Sequence, residues 1–302
     1  MVKALFIIAL SLCVYSCTST PTVDYKELYS KKEHGSKFLE IDGQMIHYRS
    51  FGKGRPVLLL HGICDSLHTW RHWKDGLVQS KFQFISIDLP GYGLTGQWNK
   101  SYTTQNYIDL INKFLQKLEI ENVSIIGNSL GGYMAWNYAL KYPNKVNKLV
   151  LISPAGYPLD PPFVVHFGQD KFTRWLATTF SNQFIYKKIS ESVFYDASKL
   201  SQYDNDRFYH LSLIPGNAQA YMDTFNVILK LSKQVPNLKE LKTPTLLLWG
   251  KEDAWIPYEQ TSKWKEDVEN LKHISYEKVG HVPQLEIPQR SLKDIISYLQ
   301  TE

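Results

Sequence analysis

The sequence predicts an α/β fold: an eight-stranded, mostly parallel sheet flanked by helices, with a helical cap inserted in its second half. Three observations predict it. Apolar strand-like runs alternate with helical periodicity along most of the 302 residues, the pattern of parallel strands joined by right-handed crossovers. A strand-like run over 123–127 passes through one serine, Ser129, directly into a helical run over 131–141. Finally, about 90 residues separate the strand ending at Ser153 from the one starting at Thr245, far more than a crossover needs.

Taken in order, residues 38–41 and 45–51 read as a hairpin around Asp42-Gly43, a dipeptide that readily takes the positive φ angles of a tight turn. Strands follow at 57–61, 83–88, 123–127, 148–153, 245–249 and 274–279. Helical periodicity covers 67–78, 105–118, 131–141, 258–269 and 289–300. Within the long insertion, 163–179, 181–190, 204–213 and 217–232 look helical, and 15 of the 79 residues from Tyr157 to Val235 are aromatic, enough to give a small cap its own core. Phe163, Phe167, Trp175, Phe184, Phe194, Phe208, Tyr221 and Phe225 are the candidates for an apolar pocket lining. The core therefore spans 38–154 and 241–302, and the cap 155–240.

Gly127-Asn-Ser-Leu-Gly131 has the form of a nucleophile elbow. A serine hydroxyl attacks only if it stands clear of the backbone on a sharp turn, and such a turn needs small residues on both sides. A nucleophilic serine also needs a base, an acid that orients the base, and donors for an oxyanion. His281, in the loop after the last strand, is the candidate base. Asp253, a few residues past the strand ending in Gly250, is the candidate acid, with Glu252 as its alternative. The strand ending at His61-Gly62 can turn there to present the N–H of Ile63, which together with the N–H of Leu130 makes the candidate oxyanion hole.

HGIC at 61–64, DLPGYG at 88–93, GNSLGG at 127–132, GKEDAWIP at 250–257 and GHVPQLEIP at 280–288 together resemble a capped protein of the α/β-hydrolase family over residues 38–300. The resemblance implies a Ser129–Asp253–His281 triad and acyl transfer from a small-molecule ester with an apolar acyl or alcohol part. Carbon–carbon bond hydrolases of ring-cleavage products are the nearest enzymatic alternative. They also carry an asparagine before the serine, as Asn128 is here, but commonly a tryptophan after the histidine, where this chain has Val282. For that reaction Arg174 or Arg207 is a candidate for a substrate carboxylate. Dehalogenase-like and epoxide-hydrolase-like relatives use an aspartate in place of Ser129. A silent, membrane-tethered binding module is the non-enzymatic alternative.

The N-terminus carries Lys3, then a mostly apolar run over 4–15 that is too short to span a bilayer and has signal-peptide proportions. Val14-Tyr-Ser-Cys17 resembles a bacterial lipobox, apart from Tyr15, and that resemblance implies a signal peptide over residues 1–16, lipid attachment at Cys17 and a tether over 17–37, with ordinary signal cleavage or an uncleaved leader as the alternatives. The expected location is an exported lipoprotein, anchored to a membrane and facing the periplasm or cell exterior. Cys13 leaves with the signal, so Cys64 remains without a disulfide partner and reads as a small core residue.

A net charge of +5 without a long basic run gives no nucleic-acid footprint, and no phosphate-binding loop or cofactor motif is present. His68 and His72 have metal-compatible spacing but no supporting carboxylate or cysteine cluster, and no metal is expected. Asp88 reads as the anchor of a strand-end turn.

Overall fold

A computed structural model describes residues 24–31, 35–161, 165–166, 170–179, 182–231, 233 and 236–301. Its sheet comprises β1 (Ser36–Ile41), β2 (Gln44–Phe51), β3 (Arg55–Leu60), β4 (Phe82–Ile87), β5 (Val123–Asn128), β6 (Val146–Ile152), β7 (Thr245–Gly250) and β8 (Leu271–Tyr276), in the order β1-β2-β4-β3-β5-β6-β7-β8. β1, β2 and β4 pair antiparallel, and every pairing from β4 through β3 to β8 is parallel. The β1–β2 turn is the one the sequence predicts: Asp42 and Gly43 sit at φ 52° and 78°, and Ile41 pairs with Gln44.

Helices cover both faces because the central strands are apolar on both. Leu58 and Leu60 of β3 face one layer, with α3 (Thr104–Lys117), α4 (Leu130–Lys141) and α9 (Gln260–Asp267); Val57 and Leu59 face the other, with α2 (Lys74–Gln79) and α11 (Pro288–Gln300). Each of these fully buried side chains contributes about 1.5–3 kcal/mol by leaving water. The cap helices α5 (Lys171–Thr179), α6 (Gln183–Ser192), α7 (Gln202–Ser212) and α8 (Asn217–Leu231) follow β6 and precede β7.

Three segments outside the cap differ from the periodicity reading, and within the cap the helix expected over 163–179 begins at Lys171. The final strand ends at Tyr276, three residues earlier than expected. Its pairing with β7 fixes Gly250 opposite Tyr276, and Lys278 at φ 57° turns the chain. Val279 misled the pattern because it is buried in the same core although it lies in the loop. The helix expected over 67–78 is a 3-10 turn (Leu67–Trp70) followed by α2. Trp70 and Trp73, both fully buried with ring centres 5.1 Å apart, suit a tight turn in which residues three apart eclipse.

The third difference lies in the segment expected to be a tether. From Asp24 onward it includes α1 (Tyr25–Tyr29), capped by the Asp24 carboxylate and packed on the body. Tyr25 and Tyr29 lie on one face, and both meet His210 of α7; Tyr29 is buried with Leu94, Leu211 and Ile214. Residues 1–23, and with them the expected signal peptide and Cys17, lie outside the described residues. No helix of the described residues is long and apolar enough to cross a membrane.

Cap and core are clamped by charge. Arg207 of α7 is fully buried and donates to Asp65 (2.5 Å) and Ser66 (2.8 Å) in the loop after β3, and to Asp204 (3.2 Å) on its own helix. Arg71 holds Asp204 from the core side with two bonds of 2.7 and 2.6 Å. Removing one member of such a cluster strands an opposite charge in the interior. Arg207→Met is expected to cost about 3–5 kcal/mol in urea unfolding, and pairing it with Asp65→Leu should return part of that loss.

Burial lowers the imidazole pKa of His61, His72, His210 and His273, the last to about 4, where Lys265 adds to the effect. With a folded-state pKa below the unfolded value of about 6.5, each ring takes up its proton more readily unfolded than folded. Stability is therefore full above about pH 6.5 and falls as the pH drops toward 4. The urea midpoint at pH 5 should lie clearly below that at pH 7.5; equal midpoints would mean that these rings are not held neutral.

Candidate active site

At the C-terminal end of β5, Ser129 occupies φ 54°, ψ −115°, a conformation that costs a residue with a side chain about 1–3 kcal/mol. Close approach enforces it. A Cβ on Gly127 would stand 2.4 Å from the Gly131 carbonyl oxygen, and one on Gly131 would stand 2.1 Å from that of Leu60. Strand and helix press together there as the elbow spacing requires. The Ser129 N–H donates to Ile152 (3.0 Å), and its carbonyl accepts from Tyr133 (3.0 Å) and Ala155 (3.2 Å), so the turn is pinned on three sides.

His281 lies in the loop after β8. Its Nδ1 is 2.8 Å from Asp253 Oδ2, and its own N–H donates to Val193 of the cap (2.8 Å). Asp253 Oδ1 accepts the N–H groups of Trp255 and Ile256, both at 2.9 Å, which fixes the carboxylate and leaves Oδ2 for the ring. Asp253, of the two candidate acids, meets the histidine. Glu252 is exposed and accepts from the Val279 N–H (3.1 Å) instead. The Trp255 ring lies nearly parallel to His281 with centres 6.0 Å apart. His281 Nε2 is buried and, among the described residues, has no hydrogen-bond partner. Ser129, Asp253 and His281 are all buried.

Asn128 joins the two halves of the site. Its Nδ2 donates to the carbonyl oxygens of Ile152 and His281, both at 3.1 Å, and its Oδ1 accepts from Gln284 (3.1 Å). The residue before Ser129 thus holds the residue that carries the imidazole. Glu286, which the sequence reading missed, does comparable work. Buried in α10 (Pro283–Glu286), it accepts the N–H groups of Gly280 (2.7 Å), Asp196 (2.9 Å) and Tyr195 (3.3 Å), tying the histidine loop to the cap. A lone carboxylate inside the apolar run Val282-Pro-Gln-Leu-Glu-Ile287 was its only signal.

The loop after β3 runs against the elbow: a Cβ on Gly62 would stand 3.4 Å from Ser129 Cβ. Ile63 follows in that loop, and Leu130 opens α4, where helix N–H groups have no intrahelical acceptor. His61 is locked beneath, 2.7 Å from the Gly62 carbonyl through Nδ1 and accepting the Leu89 N–H at Nε2 (2.9 Å), a neutral ring used as a brace. Burial pushes the Cys64 thiol well up, so it carries no thiolate character.

Asp88 is the turn anchor that the sequence suggests, accepting from Leu67 (2.7 Å) and Leu94 (2.8 Å) and meeting His47 Nδ1 at 2.6 Å. His68 is 2.8 Å from an Arg49 nitrogen. Neither cap arginine is a free cation: Arg207 is clamped as above, and Arg174 pairs with Asp223 of α8. Of the candidate pocket aromatics, Trp175 and Phe184 are exposed and so turn away from the interior. Phe194 is buried beside Val282 and Leu285, next to His281. Tyr221 stacks on Tyr92, and Phe225 belongs to the main core. Phe208 lies under the Arg207 guanidinium, 4.4 Å from ring centre to cation. Phe163 and Phe167 lie outside the described residues.

Residues 55–288 match the family model described as alpha/beta hydrolase fold. A 2-hydroxy-6-oxononadienedioate/2-hydroxy-6-oxononatrienedioate hydrolase of Pseudomonas putida is 28% identical, over 87% of this chain and 96% of its own. The meta-cleavage product hydrolase from Pseudomonas fluorescens IP01 superposes with a TM-score of 0.77 at 24% identity, over 87% of this chain and 97% of its own. An esterase from Exiguobacterium antarcticum superposes with a TM-score of 0.74 at 21% identity, over 87% and 99%. The chain belongs to the α/β hydrolase fold family, and it is a hydrolase of that fold.

Proposed function

We propose that the chain is a serine hydrolase of small carboxylic esters, held at a membrane by a lipid on Cys17. One observation carries the catalytic reading: Asp253 holds His281 by Nδ1 while Nε2 is buried and, among the described residues, unpartnered, next to an elbow that Asn128 ties to the same histidine. Nε2 is the atom that takes a proton from Ser129 Oγ as the oxygen attacks the ester carbonyl. Asp253 stabilises the imidazolium, and the N–H groups of Ile63 and Leu130 hold the tetrahedral oxyanion, each such donor lowering the barrier by about 3 kcal/mol. The imidazolium then protonates the departing alcohol, and a water activated by the same nitrogen releases the acid.

Carbon–carbon bond hydrolysis is the second reading, favoured by the name of the Pseudomonas putida relative. A dienedioate is an anion and needs a cation in its pocket, whereas Arg174 and Arg207 are each paired with carboxylates. That pairing favours an uncharged ester.

Hydrolysis of p-nitrophenyl esters from acetate to palmitate by the purified full chain, beside a ring-cleavage dienoate, separates these readings. Ester turnover with a chain-length optimum is the expected result. Dienoate cleavage without ester turnover would replace the first reading by the second, and no turnover with no fluorophosphonate labelling would leave a binding module. The mass of the mature N-terminus tests the lipid on Cys17.

A further inference from the structure

Among the described residues, four of the ten exposed large apolar side chains lie around the point where the described chain begins. Leu28 of α1 is 39% exposed, Tyr203 of α7 43%, and Phe184 and Ile185 of α6 68% and 47%. Their neighbourhood follows from the contacts. Tyr29 meets Tyr203 edge-on at 6.4 Å and His210 through its hydroxyl at 3.2 Å. One helical turn beyond Tyr203, Asp206 accepts from Gln183 (2.8 Å), the residue before Phe184. Tyr186 and Tyr209 pack between the same two helices, with ring centres 5.7 Å apart. Lys187 and Lys188 stand exposed on α6, both facing Glu191 of the same helix (3.9 and 2.7 Å), and the Lys188 ammonium lies 5.8 Å from the Phe184 ring centre.

Chain length decides what covers this surface. Six residues lie between Cys17 and Asp24, and the seven steps from one to the other span at most about 25 Å even fully extended. Because α1 is docked on α7, a lipid on Cys17 holds the α1–α6–α7 corner of the cap, and not the sheet, within that distance of the bilayer. Aromatic and branched apolar side chains beside lysines are the chemistry of a membrane–water interface.

We propose that the corner formed by Leu28, Phe184, Ile185 and Tyr203 packs into the interfacial layer of the anchoring membrane, so that the cap faces the lipid. The inference rests on the lipid anchor at Cys17. α1 is then the strap that converts a loose tether into a fixed orientation.

The test uses the lipidated full chain in vesicles of phosphatidylethanolamine and phosphatidylglycerol. An environment-sensitive fluorophore is placed on Ile185→Cys or, at the opposite end of β5 from the elbow, on Glu121→Cys, each in a Cys64→Ala background. The probe at 185 should shift to the blue and lose about half its emission to brominated lipid, as a group about 5–10 Å into the interface does. The probe at 121 should do neither. Vesicle-bound protein whose 185 probe stays water-like overturns the orientation and leaves the anchor standing. A blue shift without lipid quenching also overturns it, in favour of a second protein copy on this face. Should the mature chain carry no lipid, the anchor reading fails by itself, and the same probe on Cys17→Ser protein added to vesicles decides whether the surface binds lipid unaided or not at all.

Discussion

Ser129→Ala is expected to lower ester turnover by about 10⁶-fold, the scale of removing a nucleophile from a working serine–histidine pair. Substrate binding should change little, because the hydroxyl matters in the transition state, and fluorophosphonate labelling should vanish with activity. The position carries a second, independent signature. At φ 54° a residue with a side chain is strained, whereas glycine is not. Ser129→Gly should therefore be as inactive as alanine yet more stable than the parent by about 1 kcal/mol in urea unfolding. Inactivity with a large stability loss would instead point to damage at the elbow. Activity surviving in both variants would remove Ser129 from the chemistry.

The elbow was legible in the sequence because its constraint is local. Gly127 and Gly131 lie within two residues of Ser129, and the carbonyls that exclude a Cβ belong to the same strand–turn–helix or to adjacent β3. The sheet was legible for the same reason: runs such as Thr245–Gly250 are apolar on both faces, and such strands belong in the middle of a parallel sheet. Distance in the chain hid the rest. Arg207 reads as a surface helix charge or a substrate ligand until Asp65, 142 residues away, is seen beside it. Glu286 looks like an ordinary acid until two N–H groups of a cap loop about 90 residues away converge on it beside that of Gly280. Tyr25 and Tyr29 sit in a polar, charged segment whose composition says tether, and only His210 and the Leu94–Leu211–Ile214 cluster give their spacing a meaning. Periodicity reports which face is buried and not what it is buried against. Partners from remote segments are therefore what a single sequence withholds.

Asp253→Asn should reduce kcat by about 10⁴-fold, and the hydrogen bonds say why an amide fails where a carboxylate works. Oδ1 accepts two backbone N–H groups, from Trp255 and Ile256, so an asparagine oxygen will be drawn to that position and the NH₂ will face His281 Nδ1. A donor there demands the tautomer with a bare Nδ1, and the ring's remaining proton then sits on Nε2, the atom that must accept from Ser129. The substitution thus leaves the geometry in place and blocks the base. Glu252→Gln alters a carboxylate that braces Val279 from the surface, and should change kcat by less than about tenfold. Equal losses in the two variants would mean that the loop tolerates no change and that neither acid orients the histidine. A large loss confined to Glu252→Gln would exchange their roles. If the loss in Asp253→Asn reflected misfolding, its urea midpoint would fall with its rate; the expected result is a nearly parental midpoint, because the amide keeps both backbone hydrogen bonds that hold the turn.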